Sequence, residues 1–336
     1  MFAERLRKLQ VRLHAEQVSF LLVSSGENIF YLTGLEGLEG YLLIGAEGSY
    51  LFTDSRYEGA VVGLSDFFSV QVFRKQFTDA LQQVLEREKV STVHYEAKQL
   101  TVYQLQLFKK AVPAIEWKGS VDLVERLREQ KDEEEIRVIK KSCALLDSGF
   151  AYIEQQIAVG MKEKEVAWKL EQFLREQGGD ALAFPTIIGS GSNSAVPHHH
   201  TSDRVIEFGD IVLVDAGVRY KGYCSDCSRT YVVGESSARF QELYSTVLEA
   251  QELALQKVKA GEKALAVDAA AREYISKAGF EGRFGHGTGH GVGIAIHERP
   301  RLSPMNTTDV LLEGSVVTVE PGIYVPDFGG VRIEDT

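Results

Sequence analysis

The segment Ile211-Val212-Leu213-Val214-Asp215-Ala216-Gly217 reads as a buried β-strand that delivers a carboxylate at its end. A second carboxylate, Asp226, follows eleven residues later within Tyr223-Cys224-Ser225-Asp226. Their midpoint falls between Tyr220 and Lys221, in a polar, glycine-containing stretch suited to a hairpin turn. A tight turn there would make Asp215 and Asp226 cross-strand neighbours, with Cβ atoms about 5 Å apart. Two carboxylates that close repel unless a proton or a cation sits between them. The pattern recurs. Thr318-Val319-Glu320-Pro321-Gly322-Ile323-Tyr324 carries Glu320 on an apolar strand, and Glu334 lies fourteen residues on, beyond a turn at Pro326-Asp327-Phe328-Gly329-Gly330. Between the two pairs lies Gly287-Thr288-Gly289-His290-Gly291-Val292-Gly293, whose small neighbours leave His290 room to reach something bulky close to the backbone. A phosphate-binding loop fits these glycines less well, because no Lys-Ser/Thr follows and no Rossmann strand precedes.

Four carboxylates and one imidazole form a hard, oxygen-rich ligand set of the kind that suits Mn²⁺, Co²⁺, Fe²⁺ or Zn²⁺. Four negative charges balance two divalent cations, and two metals about 3.5–4 Å apart are the usual hydrolytic arrangement. Cys224-Ser225-Asp226-Cys227 has CxxC spacing, but residues i and i+3 of a strand point to opposite faces, which disfavours a thiolate pair.

The rest of the chain sets this chemistry in context. A length of 336 residues predicts two domains, placed at 1–125 and 126–336. The first alternates helical patterns (the opening residues, Phe77–Glu88) with strand-like runs (Ser19–Ser24, Tyr41–Gly45, Tyr50–Thr53, Thr92–Tyr95), and Asp54 is placed to cap a helix from Ser55. This predicts a small α/β domain without catalytic residues. The second has long helical patterns at Glu134–Ile157, Lys164–Gln177, Ser237–Val258 and Ala264–Ala278, and predicts an α+β domain with a curved, mostly antiparallel sheet. The acidic run Asp132–Glu135 is expected on a solvated helix face. A net charge of −11 argues against a general nucleic-acid binder. Three cysteines, a charged opening segment and no run of roughly 18 apolar residues predict a cytoplasmic protein without a membrane span.

Asp215, Asp226, His290, Glu320 and Glu334, embedded in VDAG, SD, GTGHGVG, VEPGIY and GGVRIEDT, resemble the ligand motifs of the pita-bread metallopeptidases. Within that family the chain resembles the Xaa-Pro peptidases, prolidase and aminopeptidase P, most specifically over residues 184–336. YLTG and FTDSRY resemble the creatinase-type N-terminal domain more loosely. The filled ligand positions separate the chain from creatinase itself and from relatives that have lost their ligands.

The resemblance implies that Asp215 chelates one metal, His290 and Glu320 the other, and that Asp226 and Glu334 bridge both. It implies attack of water on the scissile carbonyl, with Glu320 accepting the proton. His198, seventeen residues before Asp215, matches a histidine that polarises the carbonyl; this chain has Pro197-His198-His199-His200 where the family has Pro-His-Gly, so His199 is the alternative. His297 matches a second substrate-facing histidine and His286 a pocket histidine. Arg301 matches the arginine that binds a dipeptide carboxylate. Arg332, also on the substrate side, matches an arginine that orients the metal carboxylates. The implied activity is a manganese-dependent Xaa-Pro dipeptidase, with Co²⁺ or Zn²⁺ as alternative metals, small proline-containing peptides as substrates and a homodimer as the assembly. Aminopeptidase P activity and a non-catalytic binding module are the alternatives. Family chains usually continue through another strand beyond the point corresponding to Thr336, so truncation at the C-terminus is expected.

Overall fold

Leucines recur through the charged opening residues, and Leu6, Leu9 and Leu13 line the buried side of a helix, α1 (Phe2–Ala15). The computed structural model describes residues 2–336, and the chain divides into two units after Arg128. The first continues through β1 (Phe20–Val23), α2 (Gly26–Thr33), β2 (Gly40–Gly45), β3 (Ser49–Asp54), β4 (Ser69–Phe73), α3 (Phe77–Arg87), β5 (Thr92–Glu96), α4 (Val102–Ala111), β6 (Glu116–Ser120) and α5 (Glu125–Arg128). One six-stranded sheet runs β4-β3-β2-β1-β5-β6. The β1–β2 and β2–β3 pairs are antiparallel and the others parallel. Leu22, Leu43 and Phe52 pack from the sheet against Phe77, Leu81 and Leu85 of α3 and Phe108 of α4. Asp54 does act as a cap, accepting from the Arg56 amide at 2.8 Å, but it starts a single 3₁₀ turn at Ser55–Tyr57 instead of a longer helix. The start of α4 carries a capping box, Thr101 with Gln104, a signal present in the sequence.

The second unit contains α6 (Glu133–Glu154), α7 (Glu163–Glu176), β7 (Ala181–Leu182), β8 (Ile187–Ser190), β9 (Ile211–Ala216), β10 (Val218–Tyr220), β11 (Tyr223–Cys224), β12 (Cys227–Val232), α8 (Ala238–Leu255), α9 (Ala264–Ile275), β13 (Gly289–Gly291), β14 (Glu298–Leu302), β15 (Gly322–Val325) and β16 (Gly329–Arg332). All of its strand pairs are antiparallel, but the expected curved sheet is divided into short ladders: β11-β10-β7, β12-β9-β8, β13-β14 and β15-β16. Isolated bridges join them, Ser228 to Glu334, Gly291 to Val317 and Val319 to Asp335. Every residue of β9 is buried. Val212, Val214 and Ala216 pack on α6 and α7, so the two-residue period of the strand turns Asp215 to the other face. The acidic run differs from expectation. Asp132 and Glu135 form the capping box of α6, and Glu135 is buried, accepting from the Tyr223 hydroxyl at 3.1 Å.

The two hairpins carry their carboxylates in different registers. In the second, Gly322 pairs with Arg332 and Val319 with Asp335, which sets Glu320 opposite Glu334 as the sequence predicts. In the first, Tyr220 pairs with Tyr223 across Lys221 and Gly222, whose φ values are 48° and 79°. A two-residue turn with both central residues left-handed matches the twist of a hairpin, and glycine occupies one of these positions without strain. The turn therefore lies one residue beyond the midpoint of the two aspartates. Asp215 pairs with Ser228, and Asp226 stands opposite Gly217. The aspartates are diagonal neighbours instead of directly opposed. A Cβ at Gly217 would lie 2.5 Å from the Ser225 carbonyl oxygen and 2.6 Å from the Phe184 ring. Gly217→Ala should lower stability by about 1–3 kcal/mol, the range for overpacking. Gly59→Ala, with no atom within 4 Å of its added Cβ, should leave Tm nearly unchanged by scanning calorimetry.

Candidate metal centre

Asp226, His290 and Glu334 each present a ligand atom, and these atoms all lie within 4.8 Å of one another. His290 Nε2 is 3.5 Å from Asp226 Oδ2 and 3.4 Å from Glu320 Oε1. Asp215 joins the group electrostatically, its charge raising the pKa values of Asp226, Glu320 and Glu334. The glycines explain how the histidine reaches the site. A Cβ at Gly289 would lie 2.0 Å from the Thr318 carbonyl oxygen, and one at Gly291 would lie 2.1 Å from that of Arg299. Backbone presses on that face of β13, and His290 projects from the other. Thr318 fastens the arrangement: its hydroxyl accepts from the His290 amide at 3.1 Å and donates to Glu320 at 3.3 Å.

His290 Nδ1 lies 3.0 Å from the Gly291 carbonyl oxygen. A carbonyl only accepts, so Nδ1 carries the proton and Nε2 turns a lone pair toward the carboxylates. Burial keeps the imidazole neutral, with its pKa down at about 4. Burial likewise raises Glu320 to about 7, and burial with mutual repulsion raises Asp226 and Glu334 well above the ordinary carboxylate range. Asp215 Oδ1 and Glu334 Oε1 are buried without a hydrogen-bond partner among the described residues. Acceptors facing acceptors, with orphaned oxygens among them, fit divalent cations of the hard class.

Arg332 and His286, expected on the substrate side, are held by hydrogen bonds within the protein. Arg332 is buried, donating to Asp215 Oδ2 at 2.5 Å, the Ser228 hydroxyl at 2.8 Å, the Tyr324 hydroxyl at 2.8 Å and the Pro197 carbonyl at 3.3 Å. Four of its five N–H donors are used on protein, one of them on the Asp215 carboxylate, which fits the orienting role the resemblance implied. His286 uses Nδ1 on the Gly287 carbonyl at 2.8 Å and Nε2 on the Tyr324 hydroxyl at 2.9 Å. Neither nitrogen is left for a substrate. Ser228 donates to Glu334 Oε2 at 2.6 Å. Sequence reasoning missed Ser228, Tyr324 and Thr318; only the ladder register, which puts Ser228 beside Asp215, could have singled one out.

The three remaining groups lie around this core. His198 is exposed, whereas His199 Nε2 is held by the buried Glu163 carboxylate at 2.9 Å. His199 is thereby committed to the protein and His198 is open. The His297 ring lies 4.4 Å from that of His290 at an interplanar angle of 73°. Arg301 pairs with His290 across β13–β14, so both side chains leave the same face of the ladder. Its charge helps depress the pKa values of His290 and His297, both lowered chiefly by burial. Arg299, by contrast, is occupied by Glu129 at 3.4 Å and Asp309 at 2.5 Å.

A divalent-metal site built from hairpin carboxylates in an α+β unit defines the class as a metal-dependent hydrolase. More particularly, the chain belongs to metallopeptidase family M24, which matches residues 137–336, while residues 5–130 match the creatinase/prolidase N-terminal domain. It is 37% identical over 337 residues to an Xaa-Pro dipeptidase of Pyrococcus horikoshii, covering 99% of this chain and 93% of that one. The solved Xaa-Pro dipeptidase from Bacillus anthracis is 36% identical with a TM-score of 0.96, covering 99% of this chain and 94% of the other. An X-Pro aminopeptidase from Thermotoga maritima is also 36% identical, with a TM-score of 0.87 and coverage of 96% and 93%.

The raised carboxylates have a measurable consequence. Glu320 has a folded pKa of about 7 against an ordinary value of 4.5, so between these values the metal-free fold holds a proton that the unfolded chain releases. That contribution is full at low pH and is lost as pH rises through the folded value. His286 and His290, with pKa values lowered to about 4, act in the opposite sense below about pH 6.5, so the contribution is read against Glu320→Gln, which keeps both histidines. From about pH 5 to about pH 7.5 the metal-free Tm of the wild type should fall relative to that of Glu320→Gln, and the wild-type gain on adding Mn²⁺ should grow. A wild-type Tm that rises relative to the variant's across this window would contradict the raised Glu320.

Proposed function

We propose that the protein hydrolyses the bond preceding proline in Xaa-Pro dipeptides, using two divalent cations, Mn²⁺ foremost. Asp215, Asp226, His290, Glu320 and Glu334 would hold them. Bound there, the cations would supply Lewis acidity toward the scissile carbonyl and lower the pKa of water. The Glu320 carboxylate takes the proton of the attacking water and passes it to the departing proline nitrogen. His198 and His297 face the substrate, and His198 donates to the carbonyl oxygen as negative charge develops there. An Xaa-Pro amide has no N–H, so the pocket needs no acceptor for one.

The observation that carries the dipeptide reading is Arg301. It leaves the ladder on the same face as His290, exposed, while neighbouring Arg299 is consumed by Glu129 and Asp309. A guanidinium beside the centre is suited to the free carboxylate of a terminal proline. Arg301→Ala should raise KM for Ala-Pro by one to two orders of magnitude, about 1.5–3 kcal/mol for a charge-assisted bond. Ala-Pro should be cleaved faster than Ala-Pro-Ala; the reverse order would move the assignment to an Xaa-Pro aminopeptidase.

The ligand and histidine roles separate in metal analysis. Chelation should abolish hydrolysis and Mn²⁺ should restore it. Asp226→Asn should be worse than Asp215→Asn, because Asp226 would help hold both ions and Asp215 only one. His290→Ala should lose metal. His198→Ala should keep its metal while kcat falls by about 10²–10³, the size of losing one oxyanion donor. Full turnover by Asp226→Asn would refute the ligand set.

A further inference from the structure

The Glu163 carboxylate lies outside the metal centre and is fully buried at the start of α7. Each of its oxygens accepts three hydrogen bonds. Oε1 takes the Ser190 amide at 2.8 Å, the Ser190 hydroxyl at 2.8 Å and Asn193 Nδ2 at 3.0 Å. Oε2 takes His199 Nε2 at 2.9 Å, the Ser202 amide at 2.9 Å and the Ser202 hydroxyl at 2.6 Å. Burial works against the charge, but the donors from Ser202, Asn193, His199 and the Ser190 backbone outweigh it and hold the pKa at about 2. The group is an anion facing donors only, and its side chain has no acceptor capacity left over.

All six donors belong to residues 190–202, the segment that contains His198. They bracket it on both sides, and His199 is its immediate neighbour. The turn itself is closed by the His199 amide on the Val196 carbonyl at 3.1 Å. On the preceding side, the Pro197 carbonyl accepts from Arg332, and the Ser194 hydroxyl accepts from the Gly330 amide at 2.9 Å. His198 therefore stands between a residue tied to the Arg332 guanidinium and a residue tied to Glu163. Of the two adjacent imidazoles, one is clamped and the other is presented.

We propose that Glu163 is a positioning residue for the reaction: acting through His199 and Ser202, it fixes the turn that presents the His198 imidazole to the scissile carbonyl. The proposal rests on the reading of His198 given above. Displacing a catalytic group by about 1 Å from a remote position costs up to about 10²-fold in rate.

The test is steady-state hydrolysis of Ala-Pro by the manganese-loaded protein, with manganese per chain measured in parallel. Glu163→Gln turns an amide N–H₂ toward donors and should lower kcat about 10- to 100-fold, with KM within about threefold and metal content unchanged. His199→Phe, which keeps the ring and deletes the donor, should lower kcat about tenfold, and His199→Gln, whose Nε2 can still donate, should recover at least about half of the wild-type value. In a His198→Ala background, His199→Phe and Glu163→Gln should cost nothing further. If Glu163→Gln fails to fold, the His199 pair decides alone. Equal losses in the wild-type and His198→Ala backgrounds would make the clamp merely structural and overturn the proposal. A slow His198→Ala beside a His199→Phe of wild-type rate would leave the His198 reading standing and overturn this one. A His198→Ala with wild-type kcat would overturn both.

Discussion

A single buried guanidinium sits against the cluster of acids on which the whole site depends. Arg332 is permanently charged, and its planar fork reaches Asp215, Ser228 and Tyr324 in fixed directions. The three N–H groups of a lysine radiate from a single nitrogen and could not span partners set along the edges of a planar fork. Its field lowers the pKa values of Asp226, Glu320 and Glu334, yet burial and mutual repulsion still leave all three raised. One fixed positive charge is therefore too little for four carboxylates. Protons or cations must supply the rest, which couples metal binding to pH.

The hairpins make such a cluster affordable to fold. Each strand buries an apolar face while its alternate positions deliver an acid to the other. The Ser228–Glu334 bridge then draws the two hairpins together, and the Ser228 hydroxyl donates to Glu334 while accepting from Arg332. The same serine thus ties the ligand strands to each other and to the guanidinium. Register is what brings the acids into range. A slip of one residue in either hairpin would turn its acid to the opposite face.

How much of this was legible depends on range. The apolar run of β9 and its terminal acid could be read directly, as could the helices α6 to α9, because period and burial are local properties. The Glu320–Glu334 pairing could be read from its turn. The Asp215–Asp226 pairing could not, because a symmetric midpoint takes no account of the left-handed turn at Lys221 and Gly222. Asp132–Glu135 misled for a similar reason. Its capping function is local and visible, but the burial of Glu135 against Tyr223 depends on a partner 88 residues away. The difference between His198 and His199 likewise rests on Glu163, which binds His199 alone, is distant in sequence and carries no motif that points to either.

His286 and His290 show why residue type alone could not assign roles. Both donate Nδ1–H to the carbonyl of the following glycine, Gly287 and Gly291, so the same local device fixes the same tautomer in each. Both are kept neutral by burial, at a pKa of about 4. The difference lies in what faces Nε2. At His286 it is the Tyr324 hydroxyl, which can donate, and the lone pair is satisfied within the protein. At His290 it is Asp226 and Glu320, carboxyl groups whose loss of a proton leaves only further lone pairs. A lone pair facing a donor closes a hydrogen-bond network; one facing acceptors leaves a place that a cation completes. Four residues apart on one segment, the two histidines differ, one a brace and the other a candidate ligand, because of their neighbours across the fold.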